Sequence, residues 1–256
     1  MPQPPLQLPS IVISLQDALS DSALHSSINC YCIPDRANCV RRPWLADTCA
    51  CSTIYRARRL KRPTSTPYTG DLSIFDYPER DENLQINRVM DLLKMKEGSV
   101  VADIGAGSGW FTVRAARRVE AKGKVYAVEI NPRFLKHIEH RATEENLSNI
   151  QTVLGKEDDP LLPPDSLDAV LILKTYHEIA QPIQLLSRLR QSLKPEALLG
   201  IIDKNGNGKD HGISKRMVIN EAKEAGYSLV DEYDFVKPDG MDYFLVFRIN
   251  TTSTTH

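Results

Sequence analysis

Asp103, Gly105, Gly107 and Gly109 stand at alternate positions at the end of the apolar run Val100-Val101-Ala102. A hydrophobic run that closes on a carboxylate and three glycines, before an amphipathic segment from Trp110, describes a buried strand entering a tight turn that opens a helix. Glycine lets the backbone of such a turn come close to a ligand. Twenty residues past Gly109, the run Lys124-Val125-Tyr126-Ala127-Val128-Glu129 ends a second strand in another acid. In a doubly wound sheet that acid is placed to bind ribose hydroxyls. The two features together describe a nucleoside site.

The spacing narrows the choice of nucleoside. A dinucleotide turn reads G-x-G-x-x-G, which requires glycine at position 110, where this chain has Trp110. A pyrophosphate against the turn would be repelled by the carboxylate of Asp103, whereas a cationic ligand would be attracted. S-Adenosylmethionine (SAM) carries a sulfonium, an ammonium and a ribose, and no phosphate. In Asp103-x-Gly105-x-Gly107-x-Gly109 and Glu129 the chain resembles the class I SAM-dependent methyltransferases. The resemblance runs from about Asp71 to Ile249. It is strongest toward a group of small bacterial methyltransferases, through Phe75-Asp76-Tyr77-Pro78-Glu79-Arg80-Asp81 and Thr175-Tyr176-His177-Glu178-Ile179.

That resemblance implies S-adenosyl-L-methionine as cofactor. It assigns Asp103, Gly105, Gly107, Gly109, Glu129, Ile130, Asp158 and Lys174 to the cofactor site. Asp103 would offset the ligand's positive charge and Glu129 would take both ribose hydroxyls. One departure falls after the third strand, in Gly155-Lys156-Glu157-Asp158-Asp159, where Lys156 occupies the position at which relatives present an acid to adenine. Glu157, Asp158 or a backbone amide is left to do that work, with Asp158 the preferred candidate. The segment after the fourth strand is where acceptor-facing residues fall. His177 is the candidate general base, since imidazole titrates near neutrality. Glu178 would orient it and Tyr176 would wall the methyl path. A structural role for His177, starting the next helix, is the competing reading. Phe75, Tyr77 and Arg80 form a candidate lid. The polar glycine-rich stretch 204–211 is either an acceptor loop with His211 near the site or a flexible connection, and the second reading is preferred.

These residues need a scaffold, and the hydrophobic pattern supplies one. Apolar residues at Leu84, Ile86, Val89, Met90, Leu92 and Leu93 predict an amphipathic helix ending before Lys96. Strands are predicted at 100–104, 124–130, 150–154, 169–173 and 198–203, with helices at 109–118, from Pro132 to Asn146, from Pro182 to Leu193, and after Ser214. The run Ala169-Val170-Leu171-Ile172-Leu173 is apolar on both faces, as a central parallel strand must be. The chain closes with strands over 227–235 and 243–249 around Pro238-Asp239-Gly240, an antiparallel hairpin. The expected fold is α/β: a Rossmann-like doubly wound sheet of about seven strands with a C-terminal antiparallel hairpin. A plain dinucleotide domain would not end in that hairpin.

Composition sets the outer bounds. With 32 basic and 33 acidic residues, broad electrostatic binding of nucleic acid is disfavoured, and a small-molecule acceptor is the expected partner. No apolar run approaches the roughly 18 residues of a membrane span, and the first twenty residues lack the pattern of a secretory signal. A cytoplasmic protein is expected. Residues 1–70, rich in Pro, Ser and Arg, read as a disordered extension ahead of a domain at 71–256. They hold all five cysteines: Cys30, Cys32, Cys39, Cys49 and Cys51. Their C-x-C spacing is not the C-x-x-C of a zinc knuckle, and His177-Glu178 lacks the second histidine of H-E-x-x-H because position 181 is Gln181. No metal site is expected. A nicotinamide-dependent oxidoreductase and a non-catalytic SAM-binding protein are the alternatives to a methyltransferase.

Overall fold

The computed structural model describes residues 62–250. The cysteine cluster and the expectations for the chain before Arg62 lie outside the described residues. Seven strands form one sheet in the order β3-β2-β1-β4-β5-β7-β6. They are β1 (Val100–Ile104), β2 (Lys124–Glu129), β3 (Ile150–Leu154), β4 (Leu167–Leu173), β5 (Leu193–Lys204), β6 (Tyr227–Tyr233) and β7 (Asp242–Ile249). The first five are parallel, while β7 runs antiparallel to both β5 and β6. The order reverses at β1: the chain winds outward to β2 and β3, then returns to place β4 on the other side. A reversal of this kind opens a crevice at the carboxyl ends of the strands.

Alternation along the central strands builds two cores. Ala102 and Ile104 of β1 join Val170 and Ile172 of β4 on one face. Val101 with Ala169, Leu171 and Leu173 faces the other way, as period-two side chains must. The first face is covered by α5 (Pro182–Leu189) and α6 (Lys215–Glu224), through Leu185, Leu186, Val218 and Ala222. The second is covered by α1 (Arg80–Leu84), α2 (Ile86–Leu92) and α3 (Trp110–Val119). The remaining helix, α4 (Pro132–Glu144), begins with the predicted Asn131 cap, whose side chain accepts from the N–H of Arg133 at 3.1 Å.

The predicted single helix near Leu93 is two helices, broken at Gln85 with φ of +46°. Leu84 and Ile86 are both buried, yet residues two apart lie on different sides of a continuous helix. One left-handed residue between them turns both side chains inward. The fifth strand begins at Leu193 rather than Leu198 and pairs with β4 through an irregularity between Leu167 and Ala169. Among the described residues, no helix is long and apolar enough to cross a membrane.

The packed unit also begins earlier than expected. Residues 62–69, read from sequence as part of the extension, lie against the sheet's carboxyl edge. The N–H of Ser65 donates to the carbonyl of His177 at 3.1 Å. The guanidinium of Arg62 donates to the carbonyls of Tyr176 (2.6 Å) and Ile179 (2.8 Å), and to Glu221 (2.8 Å).

Candidate functional site

At the crevice the structure holds a cavity of about 990 Å³, near the upper end of the range for small-molecule sites. The turn after β1 forms one wall. Gly105 has φ of +74°, and a Cβ there would fall 2.3 Å from Thr175 Cγ2, so glycine is required on both conformational and steric grounds. Gly107 has φ of +54°, and a Cβ there would meet nothing within 4 Å. Its backbone therefore faces open space in the cavity wall. Gly109 is the N-cap of α3 behind that turn and does not line the cavity.

Glu129, at the tip of β2, ties the two loops together. Its Oε1 accepts from the N–H groups of Ile130 (2.7 Å) and Asn131 (3.0 Å), and its Oε2 from Gly107 (3.1 Å). A carboxylate has about four acceptor positions, so three N–H bonds leave one on Oε2. Glu129 and the half-exposed Ile130 both line the cavity. Asp103 also lines it while almost entirely buried. Burial pushes its carboxyl up to about 7, against the lowering effects of the Thr112 hydroxyl, which donates at 2.6 Å, and of Arg80. Ser108 Oγ, also in the wall, has no hydrogen-bond partner among the described residues. A carboxylate short of solvation, an orphaned hydroxyl, an acid with a free lone pair and an open glycine cradle together suit a ligand with positive charge and vicinal hydroxyls. SAM has both.

The wall next to the turn is aromatic and cationic. Trp110 lies under two guanidiniums, Arg80 at 4.2 Å and Arg114 at 4.0 Å from the ring centre. Phe75 and Arg80 of the expected lid line the cavity, whereas Tyr77 does not. The adenine-side acid expected at Asp158 is elsewhere. Its carboxylate sits 3.4 Å from Arg188, because the loop closes on itself through backbone bonds between Lys156 and Asp159. Lys156 and Glu157 line the cavity instead. Lys174 lines it too, in a left-handed conformation (φ +56°) and paired with the buried Asp242.

On the other side of β1, a three-residue 3-10 turn (Tyr176–Glu178) follows β4. At three residues per turn, successive side chains point about 120° apart. His177 and Glu178 therefore line the cavity, and Tyr176 does not. Contrary to the sequence expectation, Tyr176 does not wall a methyl path. Its ring is fully buried in the core, its hydroxyl donates to Glu221 at 2.9 Å, and Arg62 covers its face. His177 Nδ1 lies 2.9 and 3.1 Å from the two oxygens of Asp203, a residue with no solvent exposure. Those oxygens also accept the N–H groups of His177 (2.9 Å) and Lys204 (2.8 Å). Glu178 Oε1 is 3.8 Å from His177 Nε2, and burial raises its carboxyl to about 7 in spite of His177.

Two residues of this cluster were not selected from sequence. Asp203 was read only as the end of strand five, yet β5 neighbours β4, so its tip had to meet the segment after Leu173. His211 has the flexible connection as the preferred of its two sequence readings, and the structure supports the other. Its ring packs edge-on against His177, with centres 5.7 Å apart, and it lines the cavity.

A seven-stranded sheet of this order, with acids at the tips of β1 and β2 and a cavity over its switch point, is an α/β domain with the methyltransferase topology. Residues 101–196 match the family model described as a methyltransferase domain. Aklanonic acid methyltransferase of Streptomyces sp. (strain C5) is 32% identical over 95 residues, covering 37% of this chain and 42% of the relative. Demethylmenaquinone methyltransferase of Listeria monocytogenes is 25% identical over 114 residues, covering 44% and 48%. The chain thus spans less than half the length of these curated relatives. A SAM-dependent methyltransferase structure from Aquifex aeolicus superposes with a TM-score of 0.65 at 24% identity, over 71% of this chain and all of that one. The matched stretch is thus similar to methyltransferase domains, and the fold is that of SAM-dependent methyltransferases.

Proposed function

We propose that this chain transfers the methyl group of SAM to a small-molecule acceptor, with His177 receiving the acceptor's proton. The observation that carries this reading is one cavity bordered by two different chemistries on either side of β1. On the β2 side are the glycine turn, Asp103 and Glu129; on the β4–β5 side is His177 backed by Asp203.

SAM supplies a methyl carbon on a sulfonium: the acceptor's lone pair forms the new bond while the carbon–sulfur bond breaks and its electrons remain on sulfur. The protein's part is alignment and proton handling. Glu129 Oε2 and the Gly107 backbone would hold the ribose, Ile130 would cover the adenine edge, and Asp103 would face the cationic end. Lys174 would border the methionyl part. Asp203, already accepting two backbone N–H groups, acts as acceptor toward Nδ1, which leaves the Nε2 lone pair of His177 available. That lone pair takes the acceptor's proton, and Glu178 beside it favours the imidazolium that results. The cavity's largely apolar wall suits a small acceptor.

Calorimetric titration with SAM, S-adenosylhomocysteine and NAD tests the reading. Micromolar binding of the first two and none of NAD is expected, followed by labelled-methyl transfer in a screen of hydroxylated and amine acceptors. Binding of NAD alone would overturn it. SAM binding without transfer to any acceptor would favour the non-catalytic alternative.

A further inference from the structure

His177, Glu178 and His211 each offer one ligand atom, and these atoms all lie within 4.8 Å of one another. We infer that they form a divalent transition-metal site in the cavity wall, of the two-histidine, one-carboxylate kind. The inference goes beyond the functional reading and departs from the sequence expectation that the chain has no metal site.

Three observations support it. The first is the donor set: two imidazoles and a carboxylate suit Zn²⁺, Fe²⁺, Co²⁺ or Ni²⁺, and three ligands leave positions open for substrate. Bonds of about 2.0–2.2 Å separate tetrahedral ligands by roughly 3–3.5 Å. The His177 Nε2 to Glu178 Oε1 distance of 3.8 Å is close to that already, and His211, exposed on its loop, has room to approach.

The second is the support behind the ligands. A metal-binding histidine characteristically gives its other ring N–H to a carboxylate, which fixes the ring and its tautomer. Asp203 stands in that relation to His177 Nδ1, leaving Nε2 as the donor. Asp203 is itself held by two backbone N–H groups.

The third is the way the two histidine segments are joined. Ser65 donates its N–H to the His177 carbonyl at 3.1 Å, and its Oγ accepts the N–H of His211 at 3.1 Å. One buried serine thus sets the spacing of both histidines. His211 is kept at φ +55° by the tight loop around Gly208 and Gly212, a left-handed conformation that a residue with a side chain adopts only under constraint.

An ion here takes the same Nε2 lone pair that the functional reading gives to the acceptor's proton. Protein carrying the ion would instead bind an acceptor through an oxygen or nitrogen lone pair, so the two forms do not use His177 in the same way.

The test is titration of chelator-treated full-length protein with Co²⁺, followed by its visible spectrum, and with Zn²⁺ by calorimetry. His211→Ala and Glu178→Gln serve as the principal variants, with folding checked by circular dichroism. The expected result is one equivalent bound with nitrogen–oxygen ligand bands, lost in both variants. Asp203→Asn should weaken binding by about 10–100-fold, the effect typical of removing such a supporting carboxylate. The five cysteines are common to every protein in the set, and thiolate binding would add sulfur charge-transfer bands that the variants retain. Equal stoichiometry and identical spectra in native protein and both variants, or no binding in native protein, would overturn the inference. S-Adenosylhomocysteine binding is measured on the same samples. Metal binding with that ligand absent upholds the site and removes the functional reading, and the converse removes only the site.

Discussion

If Asp103 faces the cationic end of SAM, binding must be linked to its ionisation. In the ligand-free fold, burial raises this carboxyl from 3.8 to about 7. Between those values the folded chain holds a proton that the unfolded chain has released. The stability contributed by this group is therefore fully present at acid pH and is lost as pH rises through about 7. At roughly 1.4 kcal/mol per unit, three units of difference amount to about 4 kcal/mol. A cation beside the carboxylate reverses the preference. If only the ionised form binds, the apparent Kd scales as one plus the ratio of protonated to ionised carboxyl. That factor is about 11 at pH 6 and about 1.1 at pH 8, a tenfold gain in affinity across the interval. Near pH 7 binding should release about half a proton, readable as a dependence of calorimetric heat on buffer ionisation enthalpy. Asp103→Asn keeps an oxygen for the Thr112 hydroxyl, which donates at 2.6 Å in the native protein, but has nothing to titrate. It should be more stable than the native chain at pH 8, bind SAM more weakly there, and lose the slope. The ligand's own ionisation appears equally in both proteins, so the difference between their profiles is the quantity that counts. A native Kd constant within twofold from pH 6 to pH 8, or an equal slope in the variant, would refute the placement of Asp103 against the cation.

Gly105→Ala and Gly107→Ala should separate packing from ligand access. The first meets Thr175 at 2.3 Å as well as the cost of a left-handed alanine, and should lose about 2–4 kcal/mol in urea unfolding. The second meets nothing within 4 Å and should lose only about 1–2 kcal/mol, yet bind SAM much more weakly because its methyl enters the cavity. Arg62→Ala removes the guanidinium that faces Glu221 at 2.8 Å, and should cost about 3–5 kcal/mol. Burial already raises the Glu221 carboxyl, and Arg62 opposes that; without the arginine Glu221 holds its proton to higher pH, so the deficit seen in thermal melts should widen as pH rises. In chelator-treated protein, His177→Gln should lower kcat by about 10²–10⁴-fold with S-adenosylhomocysteine affinity nearly unchanged; equal loss of both would assign His177 a structural role.

Much of the scaffold could be read from the chain because its signals are local. The limits of β1 and β3 are those predicted, since each is a short β-branched stretch bounded by turn-forming residues. The Asn131 and Ser214 caps act where their types indicate. The glycine turn and Glu129 belong to one βαβ unit, so their meeting is a consequence of topology. Gln85 was not legible: nothing in its type demands a left-handed residue, and only the need to bury both Leu84 and Ile86 imposes one. Asp158 misled because its neighbours in sequence say nothing of Arg188, thirty positions on, which draws it from the cavity. Tyr176 misled for a related reason, since Glu221 and Arg62, distant in sequence, offer its hydroxyl and ring a better place inside.

Residues 62–69 carry this furthest. By composition they continue a polar, proline-containing tail, with no periodicity to suggest an element. What orders them is a pair of long-range anchors. Arg62 reaches two carbonyls around the 3-10 turn and a part-buried acid on α6, and Ser65 joins the His177 and His211 segments. Tyr68 then packs edge-on against Phe75 at 5.2 Å, which brings this stretch up to the aromatic side of the cavity. None of these partners lies within six residues of its anchor, so no windowed pattern could register them. Their effect is that the segment before the domain expected from sequence supplies part of the cavity's wall, from Thr64 to Thr69. The geometry of the His177 side of the cavity therefore depends on residues that a domain boundary near Asp71 would discard.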